Sequence, residues 1–549
     1  MNAPTTKRAT SMNNRLFGIA SAAAALLLLG SAHAAAPGIT GTSFALTAKP
    51  DYISQPDGQM VYSWGYACSG GGTAAPTTIA PPAIGACGGA MQIPGPTLIV
   101  TENVPFTITL TNGLPTAAGN TSILFPGLTL TGTTNGVRGL LTQEAAPGSA
   151  VTYTLVAHSP GTRAYYSGTQ GDLQVEMGLY GAIIVLPSTT AAANGCNAVP
   201  NAVAHYVASG NTAEADFRLA ASAYDNPKSC YDREYLFQFS EMDPNIHVQA
   251  LAQVTARQGC VVGAANCSLE VPTEPYHPAY FMINGRSMPD DMDPNYAAQY
   301  PHQPYNGNPH MHPGELVLLR IIGQGRWQHP FHEHGNHVRI LGRDGNLILA
   351  SSAANEVNLA GPLLFTTTTT PGLAMDGIFE WTGKGLNWDA YGHNPASKAA
   401  STTPVHAPCV ADANGYYTSV TTAINFYEWC QDHNKPLQVA PFGDVAGGGP
   451  VTLPDPNLFT NGAWYGGTPY FGPDATLRAS HPACDTTTNA NCTDLLPSNV
   501  QANPPSERGW AFMWHSHNER EITTNNVFPG GMLMMLLVDS REFAIDETN

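Results

Sequence analysis

The sequence predicts an all-β protein of two β-sandwich domains, the second carrying a large disulfide-braced insertion. Three observations lead there. Gly (55) and Pro (45) are abundant among the 549 residues and only 11% are charged, the balance of short strands joined by turns rather than of long helices. Runs of β-forming residues recur in two blocks with a looser stretch between them. All ten cysteines fall as sequential neighbours beyond residue 34.

Residues 1–34 read as a secretory signal. Lys7, Arg8 and Arg15 form a positive start, Leu16 to Gly30 is an apolar run too short to span a bilayer, and Ala32-His33-Ala34 supplies a small-x-small cleavage site. Cleavage would leave 19 Lys+Arg against 40 Asp+Glu, a mature charge near −21. The protein is expected outside the cytoplasm, periplasmic or extracellular, with no membrane span. An even cysteine count in an exported chain reads as disulfides, and neighbours pair simply as Cys68/Cys87, Cys196/Cys230, Cys260/Cys267, Cys409/Cys430 and Cys484/Cys492. Sequence alone does not fix that connectivity. Thiolate metal ligation is the competing reading, but no C-x-x-C occurs.

The first sandwich is expected over residues 35–190. Leu98-Ile-Val-Thr-Glu and Phe106-Thr-Ile-Thr-Leu-Thr-Asn are strand-like, and Gly178-Leu-Tyr-Gly-Ala-Ile-Ile-Val-Leu-Pro187 is a buried strand closed by proline. A linker over 191–230 follows. The second sandwich, 231–549, opens at Tyr235-Leu-Phe-Gln-Phe and continues through Tyr280-Phe-Met-Ile-Asn-Gly, Glu315-Leu-Val-Leu-Leu-Arg-Ile-Ile, His337-Val-Arg-Ile-Leu and Gly377-Ile-Phe-Glu-Trp to Gly531-Met-Leu-Met-Met-Leu-Leu-Val. Between about 384 and 505 a Gly/Pro/Asn/Thr-rich stretch holds four cysteines. A structureless loop of that length is improbable within a domain, so it reads as an elaborated insertion.

A net charge of −18 without clustered Lys/Arg argues against nucleic acid and against an anionic membrane surface. The chemistry points elsewhere. His332 and His334, in His329-Pro-Phe-His-Glu-His-Gly335, are two apart, so on a strand both imidazoles leave one face. His515-Ser516-His517 repeats the pattern on Trp510-Ala-Phe-Met-Trp-His-Ser-His. Two such strands side by side converge four imidazoles, a set that suits copper or zinc. His310-Met-His312 is a third pair, in a polar loop where a structural role is the simpler reading. Glu333 should face away from the flanking histidines and, if buried, needs a partner such as Arg326 or Arg339. His337 reads as structural, and Trp327, Trp510 and Trp514 as core.

These motifs resemble the multicopper oxidase family, whose domains are cupredoxin-like Greek-key β-sandwiches. Ile93-Pro-Gly-Pro-Thr-Leu-Ile-Val is similar to its opening strand. Thr121-Ser-Ile-Leu-Phe-Pro-Gly127 fits the frame T-S-I-H-W-H-G, and Gly161-Thr-Arg-Ala-Tyr-Tyr-Ser-Gly168 fits G-T-Y-W-Y-H-S-H. Ile283-Asn-Gly-Arg, the H-P-F-H-E-H-G segment, and Trp514-His-Ser-His with Pro529-Gly-Gly-Met532 resemble the remaining signatures. With two such domains the chain looks most like the two-domain branch, in which the cluster forms between protomers.

The resemblance implies copper, but the departures restrict how much. Where the family places first-domain histidines stand Leu124, Pro126, Tyr166 and Gly168, of which only Tyr166 offers a ligand, as a phenolate. Where the blue, type 1 copper needs its cysteine stands Ser516, and Glu521 occupies the place of its second histidine; His329 and Met532 keep theirs. The metal-ligand set implied is therefore His329, His332, His334, His515 and His517, with one copper ion favoured over three or four and zinc as the lesser alternative. Catalytic residues are not assigned. The expected function is an exported copper-binding oxidoreductase with a histidine-only site and no blue centre, acting on a small molecule or metal ion, with a homo-oligomer compatible. The alternatives are a non-enzymatic scaffold that has lost the redox machinery, metal storage or delivery, and a zinc hydrolase.

Overall fold

Phe106–Asn112 and Ala150–Val156 alternate buried and half-exposed residues along their length, as a strand with one face on a core and one toward water must. They pair antiparallel in a six-stranded sheet that also holds Ser43–Ser54 and Met60–Gly70. The computed structural model describes residues 36–75, 87–188, 217–383 and 509–539, with Cys196, Ile545 and five short strands between 401 and 470. The expected leader, most of 384–505, and the pairs Cys409/Cys430 and Cys484/Cys492 lie outside the described residues.

The chain is nearly all β, in two sandwiches of Greek-key, cupredoxin-like type. In the first, the six-stranded sheet faces a five-stranded one in the order Gly161–Tyr166, Tyr180–Leu186, Leu98–Thr101, Gly38–Thr40, Thr73–Ala75. In the second, one sheet runs Tyr280–Ile283, Arg233–Met242, Leu316–Gly323, Ala374–Glu380, Val338–Arg343, Asn346–Leu347, with Leu363–Leu364 added beside Val338–Arg343. The other runs His310–Met311, Leu533–Asp539, Gly509–Ser516, His329–Glu333, Thr366–Thr369; the strand Gly467–Tyr470 pairs with Gly509–Ser516 as well. Three disulfides join neighbours: Cys68–Cys87, Cys196–Cys230 and Cys260–Cys267. Among the described residues no helix is long and apolar enough to cross a membrane.

Some strands are buried on both faces, and the packing explains why. Tyr180–Leu186 and Arg233–Met242 lie where the two sandwiches meet. Ile99, Ala164, Ala182 and Ile184 of the first domain share a buried cluster with Leu236, Ile322 and Ala374 of the second. A polar knot closes the same seam. The Asp376 carboxylate accepts from the Thr162 amide (3.0 Å), the Thr162 hydroxyl (2.5 Å) and the Tyr224 hydroxyl (2.7 Å). Arg320 lies 3.6 Å from it and pairs with Glu234 at 2.7 Å, all of them buried.

One element was not anticipated from sequence: a helix, Pro244–Ala256. Asp243 caps it by accepting from the Asn245 amide (2.9 Å), with proline in the first turn. Its Ile246 and Ala250, with Leu269 and Val271 beyond, join the first-domain core although they follow the first strand of the second.

Removing the carboxylate from the seam leaves a buried arginine underpaired and a tyrosine and a threonine without their acceptor. Asp376→Ala should therefore cost about 3 kcal/mol or more of unfolding free energy in urea titration. A change within about 0.5 kcal/mol of wild type would show that the knot contributes little.

Candidate metal centre

Strand pairing builds the centre. His329–Glu333 lies antiparallel to Gly509–Ser516, with His332 opposite His515, Glu333 opposite Trp514 and Phe331 opposite Ser516. Residues directly opposite share a face. Phe331, Glu333 and Trp514 therefore turn to the core, with the Phe331 and Trp514 rings 6.0 Å apart, while the histidines turn the other way.

On that other face four imidazoles meet. Ring centroids are 4.8 Å apart for His332–His334, 5.5 Å for His332–His515, 4.8 Å for His332–His517, 5.2 Å for His334–His515 and 5.6 Å for His515–His517. Ligand nitrogens of His332, His334 and His515 all fall within 4.8 Å of one another. The Nε2 atoms of His334 and His515 are 3.3 Å apart, the spacing of roughly 3.3 Å that two donors take about 2.0 Å from one tetrahedral ion. The donor set fits a metal that favours imidazole, copper or zinc among them.

Neighbours orient the rings. His515 Nδ1 faces the Ser516 carbonyl at 2.7 Å, an acceptor only, so Nδ1 carries the proton and Nε2 keeps its lone pair. His332 Nδ1 pairs with the Thr366 hydroxyl at 2.8 Å, from the strand on its other side. Trp514 Nε1 donates to the His334 carbonyl (2.9 Å), and the His517 amide donates to the Pro330 carbonyl (2.8 Å). Burial, together with the neighbouring His515 and His517, lowers the His332 pKa to about 4, and burial lowers that of His515. Both rings are thus neutral near pH 7. His517 is the open edge of the group, its side chain 50% exposed.

His329, expected with these ligands, stands apart from them. Both its nitrogens are taken, Nε2 by Glu241 and Nδ1 by Glu521, each at 2.9 Å and each fully buried. The two carboxylates lie on opposite edges of the ring, so the three groups do not converge on one ion. Burial alone would lower the His329 pKa, but the hydrogen bonds and charges of Glu241 and Glu521 raise it to about 9. The ring is an imidazolium. Glu241 Oε1 also accepts from the Arg326 and Trp327 amides (2.7 and 2.9 Å), and Gly325 makes room, since a Cβ there would stand 2.4 Å from Glu241 Oε2. Glu521 accepts from the Ser516 hydroxyl and from Asn518. The positions His329, Ser516 and Glu521, where the resemblance implies a blue copper, thus hold a hydrogen-bonded ion triad, with Met532 in the adjoining core.

Glu333 is buried on the core face, as alternation predicts, but its partner is the Thr367 hydroxyl (2.6 Å), not an arginine. Arg326 is engaged by Glu274 and the Thr273 carbonyl, and Arg339 by the Gly361 carbonyl. Burial pushes the Glu333 carboxyl up to about 8. His310 and His312 fasten the last strand, their Nδ1 atoms 2.7 Å from the Asp539 carboxylate and 2.8 Å from the Asp539 carbonyl. The His337 ring packs on Phe365, and Trp510 and Trp514 are core. Leu124, Tyr166 and Gly168 line an interdomain cavity that none of the clustered histidines reaches. Burial and the Asp344 charge raise the Tyr166 pKa, so its hydroxyl stands there as a phenol. Glu241 and Thr366 escaped the sequence reading. For Glu241 a signal was present: a lone carboxylate inside the apolar run Tyr235-Leu-Phe-Gln-Phe-Ser-Glu-Met must be paired if the strand is buried.

Two segments, residues 84–190 and 272–375, match multicopper oxidase family models. Each half of the chain thus carries a segment of multicopper oxidase type. No curated protein sequence matches it. Similar solved structures include a blue copper oxidase from Nitrosomonas europaea, 14% identical at a TM-score of 0.43, with 90% of this chain and 85% of that one covered. The multicopper oxidase mgLAC is 14% identical at a TM-score of 0.41, covering 92% and 87%. A copper nitrite reductase from Nitrosomonas europaea is 17% identical at 0.36, covering 62% and 84%. These likenesses are distant, and the multicopper oxidase resemblance rests on the two matched segments.

The imidazolium reading has a pH signature. A histidine raised from 6.5 to about 9 on folding stabilises fully below about pH 6.5, and that contribution, about 3 kcal/mol, is lost as pH rises through 9. Histidine-selective NMR should find one imidazole titrating near pH 9, absent in His329→Gln. A midpoint at or below 6.5 would contradict the triad.

Proposed function

We propose that this protein is an exported copper oxidoreductase of multicopper-oxidase type with a reduced site: one copper held by His332, His334, His515 and His517, and no blue centre. The observation that supports it is the meeting of four imidazoles from two strands about 180 residues apart in sequence, two of them with their orientation set by Thr366 and the Ser516 carbonyl. Bound there, copper supplies one-electron Cu(II)/Cu(I) chemistry. Thr366 and Ser516 hold rings in place, and the exposed edge at His517 is where a small molecule or metal ion would approach. Glu333 takes no part as a base, because it is buried on the opposite face. A serine hydroxyl gives no thiolate–copper bond, so Ser516 removes the feature that defines a blue site. Export is supported by the leader-like start of the sequence and by the three disulfides.

Copper-loaded protein should hold about one copper per chain by metal analysis, show an ordinary Cu(II) paramagnetic resonance spectrum, and lack intense blue absorption. His332→Ala and His515→Ala should each bring the copper below about half an equivalent. Three or more coppers, a blue band, a site that keeps zinc and rejects copper, or occupancy unchanged in both variants would each overturn the reading. Dioxygen uptake with phenols or a reduced metal ion, abolished in the same variants, separates the oxidoreductase from a non-enzymatic copper-binding scaffold.

A further inference from the structure

The cavity between the two domains is a separate feature from the histidine cluster. Its volume is about 440 Å³, within the range of small-molecule sites. Leu124, Tyr166, Gly168 and Val175 of the first domain face Gly325, Arg326, Pro371 and Gly372 of the second across it. Most of this wall is hydrocarbon or bare backbone. Leu141, also in the lining, and its neighbour Leu140 are 64% and 93% exposed, so an apolar pair stands in solvent where the cavity opens. Apolar surface kept that way has no folding advantage to offset it.

The polar groups in the wall are committed elsewhere, with one exception. Gln324 Nε2 donates to the Gly181 carbonyl and to Gln238, both at 3.0 Å. The Ser167 hydroxyl donates to Gln174 at 2.7 Å. Arg326, the one charged residue of the lining, donates to the Thr273 carbonyl (2.8 Å) and pairs with Glu274 (2.6 Å), while its guanidinium lies 4.1 Å above the Tyr276 ring. Its charge is answered before any ligand arrives. The exception is the Tyr166 hydroxyl, half-buried and without a hydrogen-bond partner among the described residues. The tyrosines around it are satisfied: Tyr165 donates to the Pro96 carbonyl (2.8 Å), Tyr153 to the Gln143 carbonyl (2.7 Å) and Tyr180 to Ser240 (2.8 Å). The Tyr166 hydroxyl stands against the bare face of Gly372, where a Cβ would come within 3.2 Å of it and the backbone is left-handed (φ 77°). A phenol in such a place has a donor and an acceptor to offer.

We propose that this cavity is a binding site for a neutral, mostly apolar aromatic molecule carrying one hydrogen-bonding group, which meets the Tyr166 hydroxyl. The apolar wall supplies the affinity and the phenol sets the orientation. A carboxylate is disfavoured because the arginine is already neutralised by Glu274. The site does not depend on the copper reading, since no clustered histidine lines it.

The test is calorimetric titration of the full-length protein with 2-naphthol, a neutral aromatic alcohol. Saturable one-to-one binding is expected, unchanged in His332→Ala. Tyr166→Phe, which keeps the ring, should weaken it about fivefold, the effect of one neutral hydrogen bond. Val175→Trp, which fills the cavity, should weaken it by at least about tenfold, and 2-naphthoate should bind wild type at least about tenfold more weakly than 2-naphthol. No saturation below about 1 mM 2-naphthol, equal affinity in wild type and Val175→Trp, or tighter binding of the anion would overturn the proposal. Should Val175→Trp fail to fold, the Tyr166→Phe comparison and the anion comparison decide it.

Discussion

The antiparallel register between His329–Glu333 and Gly509–Ser516 is the constraint on which the centre rests. With His332 opposite His515, alternation sends all four histidines to one face and Phe331, Glu333 and Trp514 to the other. A slip of one residue would bury imidazoles among aromatics and expose two large rings. The core side forbids this, because Phe331 and Trp514 are locked into a cluster with Phe237, Phe239 and Phe379. Hydrophobic packing on one side of a sheet thereby fixes polar geometry on the other.

Behind the histidine face, the Glu241–His329–Glu521 triad does with protons what a bound cation would do with charge. Two buried carboxylates would repel each other severely, and an imidazolium between them removes most of that cost. The remaining lone pairs are met by the Arg326 and Trp327 amides, Ser516 and Asn518. Every member of the network has a partner, which is the condition under which a buried polar network is tolerated.

Sequence made the second-domain face legible because strand periodicity and H-x-H spacing are local facts: residues two apart on a strand share a side whatever the fold. The three described disulfides were legible for a similar reason, their partners being near neighbours in the chain. What escaped was long-range. Glu241 lies 88 positions from His329; its place in an apolar strand signals that it needs a partner, but nothing local names which one. Arginine was expected to satisfy Glu333, yet the partner is Thr367, diagonally across on the adjacent strand, since a hydroxyl already at hand competes well with a charge that must be brought from outside. The Pro244–Ala256 helix was missed because it is short and sits within a β-rich sequence; its Asp-Pro start is a boundary signal of the ordinary kind.

That helix also bears on how the molecule comes apart. Strand Arg233–Met242 belongs to the C-terminal sandwich, and the segment immediately after it returns to plug the N-terminal one, so the halves are stitched rather than merely apposed. The N-terminal half does not carry a complete interior of its own. Expressing the N-terminal portion by itself would leave an apolar gap where Ile246, Ala250, Leu269 and Val271 belong, and the denaturation of one lobe would drag the other with it as a single cooperative event.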